Sequence, residues 1–222
     1  FDRLSMRAAP AQDCDLCPRL RDFRHINREK FPEFHNAPVP SFGGEEARLL
    51  VVGLAPGLKG ANRTGRPFTG DGAGEILYAT LLAQGFARGS YGAATDDGLE
   101  LRACRITNAV RCVPPGNKPE TAEIHACNGF LAREIKSLPR LKVLLALGQI
   151  AHRAVLRALG LRASTHAFAH AAEHALPHGL TLLDSFHCSR LNTNTGRLTP
   201  AYLRFYHAMY QALMFGMNLA LV

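Results

Sequence analysis

The stretch Leu49-Leu50-Val51-Val52-Gly53-Leu54-Ala55-Pro56-Gly57 decides the fold of this chain. Its apolar run is short and stops at a glycine, and the Pro-Gly pair that follows turns the backbone sharply. This pattern predicts a buried strand over residues 48–54 that leads into a closely packed loop. In open α/β sheets, ligands bind where strands end and such loops begin. We therefore expect the functional site at this loop.

The next polar segment, from Arg63 to Asp71, carries two arginines, two threonines, a phenylalanine and a carboxylate. Phe68 offers a stacking surface for a flat ligand such as a nucleobase, or it simply covers the core. A helix is predicted to begin after Asp71, so this carboxylate is either an ordinary N-cap or a reactive group. The sequence alone leaves the structural and the functional interpretation open for Phe68 and for Asp71.

Strand and helix patterns alternate four times along the chain, which predicts a three-layer α/β fold with a four-stranded parallel sheet flanked by helices. We expect one domain over residues 1–222, with residues 1–40 forming an N-terminal arm that holds a short helix and a proline-rich linker. The alanine- and histidine-rich segment 163–179 gives no clear pattern. Three of its histidines, His166, His170 and His174, are spaced by four and are expected on a solvated helix face rather than in a metal site. The predicted strands are 48–54, 105–110, 142–147 and 180–186, and the predicted helices are 19–27, 74–84, 119–137, 148–159 and 200–217.

Composition narrows the class of protein. The formal net charge of +8 over 222 residues favours a polyanionic partner, of which nucleic acid is the commonest. No segment has the apolar length of a membrane span or the pattern of a signal peptide. We therefore expect a soluble, cytoplasmic and monomeric protein without a membrane partner.

The six cysteines fall into two groups. Cys14-x-x-Cys17 has the spacing of metal ligands, and Cys112 and Cys127 can supply two more thiolates. Four thiolates suit a structural zinc ion or an iron–sulfur cluster, and their number alone does not separate the two. Unlinked thiols are the remaining alternative. The last two cysteines, Cys104 and Cys188, are expected to be free thiols.

Two further polar side chains follow predicted strands directly. The amide of Asn108 offers a donor and an acceptor side by side, which matches the edge of a pyrimidine, although it could also cap a turn. His187 ends the fourth strand at the edge where the other strands deliver their loops. This convergence favours a functional role for His187 over a structural one.

Taken together, these pieces resemble the uracil-DNA glycosylase superfamily, and most closely its iron–sulfur branch, family 5 (UDGb-type). The matching motifs occur in family order and span nearly the whole chain. They are Cys14-x-x-Cys17, Gly53-Leu54-Ala55-Pro56-Gly57, Asn62-Arg63-Thr64-Gly65-Arg66-Pro67-Phe68-Thr69-Gly70-Asp71, Ile106-Thr107-Asn108-Ala109-Val110-Arg111-Cys112, Pro114-Pro115-x-Asn117-Lys118-Pro119, Cys127, His187-x-Ser189-Arg190 and Thr195-Gly196-Arg197-Leu198-Thr199.

The resemblance implies a structural [4Fe-4S] cluster on Cys14, Cys17, Cys112 and Cys127. It also implies excision of uracil or other deaminated bases from DNA, with a flipped nucleotide. Phe68 would then stack on the base, Asn108 would read its edge, and His187 would donate to a base oxygen as negative charge builds there. The substrate wall would include Gly53, Leu54 and Ala55. The residues expected to face DNA are Lys59, Arg63, Arg190, Leu191 as an apolar wedge, Asn192 and Arg197.

Two departures from the wider superfamily matter. The loop after the first strand usually carries a water-positioning acid or amide, and here Leu54 and Ala55 stand there. Asp71 is then the first candidate to orient water or stabilise the sugar cation, and Asn117 is the second. The apolar pair should also relax base selectivity, so we expect activity on uracil and on hypoxanthine. Cys188 is the second departure, because relatives commonly carry proline there.

Two other functions remain open at this point. A uracil-DNA-binding protein of the same superfamily would bind without turnover, but such relatives carry a basic insertion near the third cysteine that this chain lacks. A redox α/β protein is the other alternative, and the chain has neither G-x-G-x-x-G after a strand nor a P-loop lysine motif.

Overall fold

A computed structural model describes residues 9–188 of the chain, and its centre is a five-stranded sheet between helices. Most elements lie within two residues of their predicted bounds, because apolar runs and turn residues mark them well. The N-terminal helix is longer than expected, spanning Pro18–Lys30 rather than 19–27. The elements in chain order are α1 (Pro18–Lys30), β1 (Leu49–Gly53), α2 (Ala61–Thr64), α3 (Gly72–Ala83), β2 (Ala87–Arg88), β3 (Glu100–Leu101), β4 (Cys104–Asn108), α4 (Thr121–Ser137), β5 (Val143–Leu147), α5 (Gln149–Ala158), β6 (Glu173–Leu176) and β7 (Leu180–Ser185).

The strand order of the main sheet is β4-β1-β5-β7-β6. The first four strands are parallel, and they are the four predicted from sequence. Every residue of β1 and β5 is buried, as expected for strands covered on both faces. The carboxyl ends of β1, β4, β5 and β7 therefore meet at one edge of the sheet.

The fifth strand, β6, corrects the expectation of a sheet with only four strands. It pairs antiparallel with β7, from Glu173 opposite Leu183 to Leu176 opposite Leu180. A single 3-10 turn, Pro177–Gly179, joins the two strands, so an antiparallel neighbour is the only arrangement its length allows. Sequence gave no signal for β6 because its four residues contain no apolar run.

Helices cover both faces of the sheet, which confirms the three-layer α/β architecture. On one face, α3 packs Leu77, Tyr78 and Leu81 against alternate residues of β1 and β5. On the other face, α4 and α5 pack against the residues in between, including Leu50 and Leu144. Among residues 9–188, no helix is both long and apolar enough to cross a membrane.

A buried ion network ties α4 to β4 and the loop behind it. Glu134 on α4 accepts hydrogen bonds from Arg105, Thr107 and Arg111, with the Arg111 Nη2 atom 2.5 Å from its carboxylate. Burial opposes ionisation of Glu134, but Arg111 and these hydrogen bonds hold the pKa of the carboxyl below its usual value. The network fixes the loop after β4 against α4, so Cys112 and Cys127 are brought together.

The segment between α3 and β4, for which no element was predicted, contains a small sheet of its own. Strands β2 and β3 form a two-stranded antiparallel sheet in which Ala87 lies opposite Leu101. The helix expected over residues 200–217 lies outside the described residues.

Candidate active site

A pocket of about 420 Å³ opens at the carboxyl edge of the parallel strands. It collects side chains that are far apart in sequence, as expected for the strand-end loops of an α/β sheet. It also unites most of the pocket residues singled out from sequence. The lining residues are Leu54, Ala55, Pro56, Gly57, Ala61, Phe68, Asp71, Gly72, Ala73, Asn108, Asn117 and His187.

The floor of the pocket depends on the absence of a side chain at Gly53. This residue ends β1 opposite Asn108, the last residue of β4. A Cβ atom added to Gly53 would lie 2.4 Å from the Asn108 Oδ1 atom and 2.5 Å from the Phe68 Cζ atom. Gly53 does not itself line the pocket. Its role is to let the amide and the ring pack directly against the backbone.

Phe68 covers the core and also lines the pocket, so its position is compatible with both of the roles considered from sequence. It is only 7% exposed and packs in the core cluster with Val51 and Leu77, yet its ring also lines the pocket. Its backbone is in the left-handed region, with φ of 54°, which is unusual for an aromatic residue. The surrounding structure must therefore hold Phe68 in this conformation.

Two tyrosines, neither of which was expected at the site, provide this support. The Tyr91 hydroxyl donates to the Phe68 carbonyl at 3.3 Å and accepts from the Gly70 N–H at 3.4 Å. The Tyr78 hydroxyl donates to the Pro67 carbonyl at 2.5 Å. The backbone of the Phe68 loop is thus held at Pro67, Phe68 and Gly70 by hydroxyl groups from α3 and from the loop between β2 and β3.

A buried ion pair fastens the same loop to the loop between β2 and β3. Arg66 donates to both carboxylate oxygens of Asp97, at 2.9 and 2.6 Å, and both side chains are at most 5% exposed. The Arg66 guanidinium also lies over the rings of Phe42, Tyr78 and Tyr91. Its hydrogen bonds hold the pKa of the Asp97 carboxyl well below the usual range. Sequence analysis missed this pair because its members are 31 residues apart.

Asp71 caps a helix and faces the pocket at once. Its Oδ1 atom accepts from the backbone N–H groups of Ala73 and Gly74, at 3.1 and 3.3 Å, at the start of α3. Its Oδ2 atom points the other way, since a Cβ atom added to Gly60 would lie 2.5 Å from it. One oxygen therefore fixes the side chain, while the carboxylate lines the pocket.

His187 closes the pocket from the end of β7. Its ring faces Phe68, with ring centroids 5.9 Å apart and an angle of 30° between ring planes. Burial lowers the pKa of His187, and the Asp71 carboxylate offsets this only in part. The imidazole is therefore neutral near pH 7 and carries one N–H. Asn117 lies on the exposed rim in a 3-10 turn, with φ of 57°.

The residues expected to face DNA are only partly within the described chain. Lys59 is exposed in the loop that borders the pocket, Arg63 is exposed on α2, and the Arg63 Nε atom donates to the Lys59 carbonyl at 2.9 Å. The other four, Arg190, Leu191, Asn192 and Arg197, lie outside the described residues.

The four cysteines chosen from sequence surround one small cavity: Cys14, Cys17, Cys112 and Cys127. The rest of its wall is formed by apolar residues and two arginines: Pro10, Leu16, Leu20, Val110, Phe130, Arg24 and Arg111. The other two cysteines, Cys104 and Cys188, are buried in the core cluster under α3 and form no disulfide with any described residue, as expected.

A buried arginine at this cavity favours a negatively charged group beside it. Arg24 is 1% exposed, and it donates from Nη1 to the Cys112 Sγ atom at 3.4 Å and from Nη2 to the Cys14 carbonyl at 2.8 Å. Its Nε atom is buried without a hydrogen-bond partner among residues 9–188. Burial raises the pKa of Cys17 to about 11 and that of Cys112 to about 12. A metal group that deprotonates these thiols would satisfy the arginine, so the donor set fits such a group.

The cysteine cavity and the pocket share a wall. Ala55 lines the pocket and also packs against the apolar cluster that contains Cys127 and Val110. A group bound by the cysteines would therefore support the pocket from behind.

Comparison with known proteins agrees with this geometry. A sequence model described as the uracil DNA glycosylase superfamily matches residues 40–210. The chain belongs to this superfamily. A type-5 uracil-DNA glycosylase of Thermus thermophilus is 47% identical over 191 residues, which cover 84% of this chain and 87% of the relative.

Two proteins of Pyrobaculum aerophilum are also similar to this chain. Its type-5 uracil-DNA glycosylase is 42% identical, over 84% of this chain and 83% of the relative. Its type-4 uracil-DNA glycosylase is 33% identical, over 68% of this chain and 64% of the relative. The resemblance to family 5 that the sequence motifs indicated is thereby confirmed.

One expectation about the histidines is wrong. His166, His170 and His174 do not share a helix face: His166 follows a 3-10 turn and His174 lies on β6. His174 is also not simply solvated, because its Nε2 atom lies 2.9 Å from the buried carboxylate of Asp184.

Proposed function

We propose that this protein is a uracil-DNA glycosylase, which hydrolyses the N-glycosidic bond of a deaminated base in DNA and leaves an abasic site. The observation that carries the proposal is the single pocket that brings an aromatic ring, an amide, an imidazole and a carboxylate together. The match to the superfamily over most of the chain supports the same reaction.

The target base must leave the duplex to reach this pocket. Flipping costs on the order of a few kcal/mol, and less at a mismatch, because stacking and pairing are lost. The ring of Phe68 would recover part of that loss by stacking on the base. The Asn108 amide, fixed against Gly53, would donate to and accept from the edge of the base.

His187 is suited to stabilise the leaving base. As the C1′–N bond breaks, its electron pair moves to the base and negative charge builds on a base oxygen. A neutral imidazole donates its N–H to that oxygen without bringing a full positive charge into the pocket. The lowered pKa of His187 supports this protonation state.

Asp71 is the first candidate to act on the sugar side. Its carboxylate is exposed to the pocket while its Oδ1 atom is held by the start of α3. We propose that it orients the attacking water and stabilises the positive charge that develops on the sugar. Asn117 on the rim is the second candidate for orienting water.

Base selectivity is expected to be broad. Leu54 and Ala55 line the pocket with apolar side chains. These side chains make no hydrogen bond that only a pyrimidine could satisfy, so this wall does not discriminate against a purine. We propose that the enzyme also releases hypoxanthine. An Ala55→Leu variant narrows this wall, and it should reduce hypoxanthine release more than uracil release.

We propose a [4Fe-4S] cluster on Cys14, Cys17, Cys112 and Cys127. Four thiolates and a neighbouring arginine fit such a cluster, which would be structural here and would support the wall at Ala55. Iron and sulfide analysis of the purified protein tests this: four irons per chain are expected, with loss in Cys112→Ser and retention in the control Cys104→Ser. A colourless preparation with one zinc per chain would contradict it.

The DNA partner would be bound through phosphate contacts, for which Lys59, Arg63, Arg190 and Arg197 are candidates, with Leu191 as the wedge and Asn192 beside it. The affinity for DNA should therefore fall steeply as the salt concentration rises.

We also propose, from the sequence pattern, that residues 1–222 form one domain that acts as a cytoplasmic monomer.

The deciding experiment uses DNA duplexes that contain one uracil, hypoxanthine, xanthine or thymine lesion. Free base together with an alkali-labile strand is the result expected for uracil, and for hypoxanthine under the broader proposal. An SDS-resistant adduct without free base would identify a uracil-DNA-binding protein instead. A chromophore that cycles rapidly in a protein without DNA affinity would favour a redox protein.

A further inference from the structure

A second cluster of metal-ligand side chains lies apart from the pocket and the cysteines. His152 comes from α5, His174 from β6 and Asp184 from β7. The Asp184 side chain is fully buried, the His152 side chain is 1% exposed and the His174 side chain is 12% exposed. The carboxylate lies between the imidazoles, with Oδ1 2.7 Å from His152 Nδ1 and Oδ2 2.9 Å from His174 Nε2.

Both ring nitrogens of His152 face oxygen atoms that act as acceptors, but a neutral imidazole carries only one N–H. Its Nε2 atom lies 2.9 Å from the carbonyl oxygen of His166, which can only accept, so Nε2 carries the hydrogen. A neutral imidazole then presents a lone pair at Nδ1. That lone pair faces the Asp184 carboxylate at 2.7 Å, and an ionised carboxylate also only accepts. Something positive must lie between these two atoms.

A proton or a metal ion can fill this place. A second proton would either form a buried imidazolium–carboxylate pair, with His152 only 1% exposed, or lie on Asp184 as a neutral carboxyl that donates to Nδ1. A divalent ion would instead be shared by both imidazoles and the carboxylate, which are ligand types that zinc accepts. The N–H of His152 that donates to a backbone carbonyl is the arrangement that commonly orients a metal-bound histidine.

Distances allow this alternative. One ligand atom from each of the three residues lies within 4.8 Å of the other two. Zinc–nitrogen bonds of about 2.0–2.1 Å place neighbouring ligands of a tetrahedral site roughly 3.3 Å apart, so ligand-atom separations would have to change by up to roughly 1.5 Å. The partly exposed His174 gives an ion access from solvent, and a water molecule can complete the fourth position.

We propose that His152 Nδ1, His174 Nε2 and Asp184 form a binding site for a divalent transition-metal ion of the zinc type. Such an ion would join α5, β6 and β7, and it would fix β7 three residues before His187. The inference does not depend on the proposed glycosylase activity.

Zinc content of the tag-free holoprotein tests the proposal. Protein is dialysed against Zn²⁺, freed of excess, and analysed for zinc and iron in the same sample. Wild type should retain one more zinc per chain than His174→Gln and Asp184→Asn, with equal iron in all three. The control His125→Gln changes an exposed histidine on α4 and should match wild type. Equal zinc in wild type and His174→Gln, or no retained zinc, would overturn the proposal.

A measurement on wild type alone guards against misfolded variants. In ¹⁵N-histidine NMR with Zn²⁺ present, His152 should keep one proton, on Nε2, and chelation should add a second proton at Nδ1. Protons on both ring nitrogens in the presence of Zn²⁺ would instead show an imidazolium–carboxylate pair and would contradict metal binding.

Discussion

Phe68 and His187 face each other across the pocket, with ring centroids 5.9 Å apart. One ring comes from the loop after β1 and the other from the end of β7, so the pocket exists only when the sheet is assembled. A flat base entering this space can contact Phe68 with its face and His187 with its rim.

Replacing Phe68 by leucine should reduce kcat/KM for uracil-containing DNA. Base–aromatic stacking is worth about 1–3 kcal/mol, which corresponds to a loss of roughly 5- to 150-fold. The matched control is Phe86→Leu, which removes a ring from the same core cluster away from the pocket. Steady-state kinetics should show the loss only in Phe68→Leu, and equal activity in the two variants would argue that Phe68 merely covers the core.

Gly53→Ala should impair catalysis although it adds only a methyl group, because that group displaces pocket residues. Its Cβ atom would lie within 2.5 Å of both Asn108 and Phe68, so both must shift. Displacements near 1 Å at a reacting centre can cost about 100-fold in rate. Gly44→Ala is the control, because its Cβ atom meets nothing within 4 Å. If both alanine variants excise uracil at the wild-type rate, tight packing behind the pocket is unimportant.

Two variants of Asp71 separate capping from chemistry. Asparagine is as good an N-cap as aspartate, so Asp71→Asn should keep the helix start while losing the charge. We expect its single-turnover rate to fall at least about 100-fold, in the range of acid–base groups. Asp71→Ala should in addition lose about 1 kcal/mol of stability. Uracil release by Asp71→Asn at the wild-type rate would leave Asp71 only its structural role.

The Arg66–Asp97 pair should matter far more for stability than the exposed Arg88–Glu100 pair of the small sheet. Asp97→Asn is expected to cost about 3–5 kcal/mol at pH 7, since it leaves a buried guanidinium without its anionic partner. Glu100→Gln removes the partner of Arg88, where both side chains are at least 57% exposed, and should cost below about 1 kcal/mol. Urea unfolding measures both free energies, and similar values would refute the assignment.

The same pair gives a pH dependence of known sign. The folded-state pKa of Asp97 is lowered, so its stabilisation is fully present above the unfolded pKa of about 3.9 and disappears as pH falls below it. The difference in unfolding free energy between wild type and Asp97→Asn should therefore narrow below about pH 4. A difference that stays constant down to pH 2.5 would contradict the assigned cause.

The parallel strands and the pocket residues could be predicted because each carries a local signal. The runs in β1 and β5 are apolar throughout, and Asn108 and His187 stand directly at strand ends. Parallel pairing then requires those ends to meet, whatever the connections are. The cysteines carried a comparable signal in their number and spacing.

The supporting contacts could not be predicted, because they join segments without a shared pattern. Tyr91 reaches the Phe68 loop from 23 residues away, and Asp97 reaches Arg66 from 31. Strand β6 has no apolar run, so its histidine looked like part of a solvated helix. Only the pairing of β6 with β7 brings His174 to Asp184.

A structure of the protein with a duplex that contains 2′-fluoro-2′-deoxyuridine, whose glycosidic bond resists cleavage, tests the central claim most directly. We predict that the uracil is flipped out, with its face on the Phe68 ring, its edge at the Asn108 amide and an oxygen within hydrogen-bond distance of His187. A uracil that remains stacked in the duplex, or that binds elsewhere while these three side chains touch nothing of it, would contradict the account.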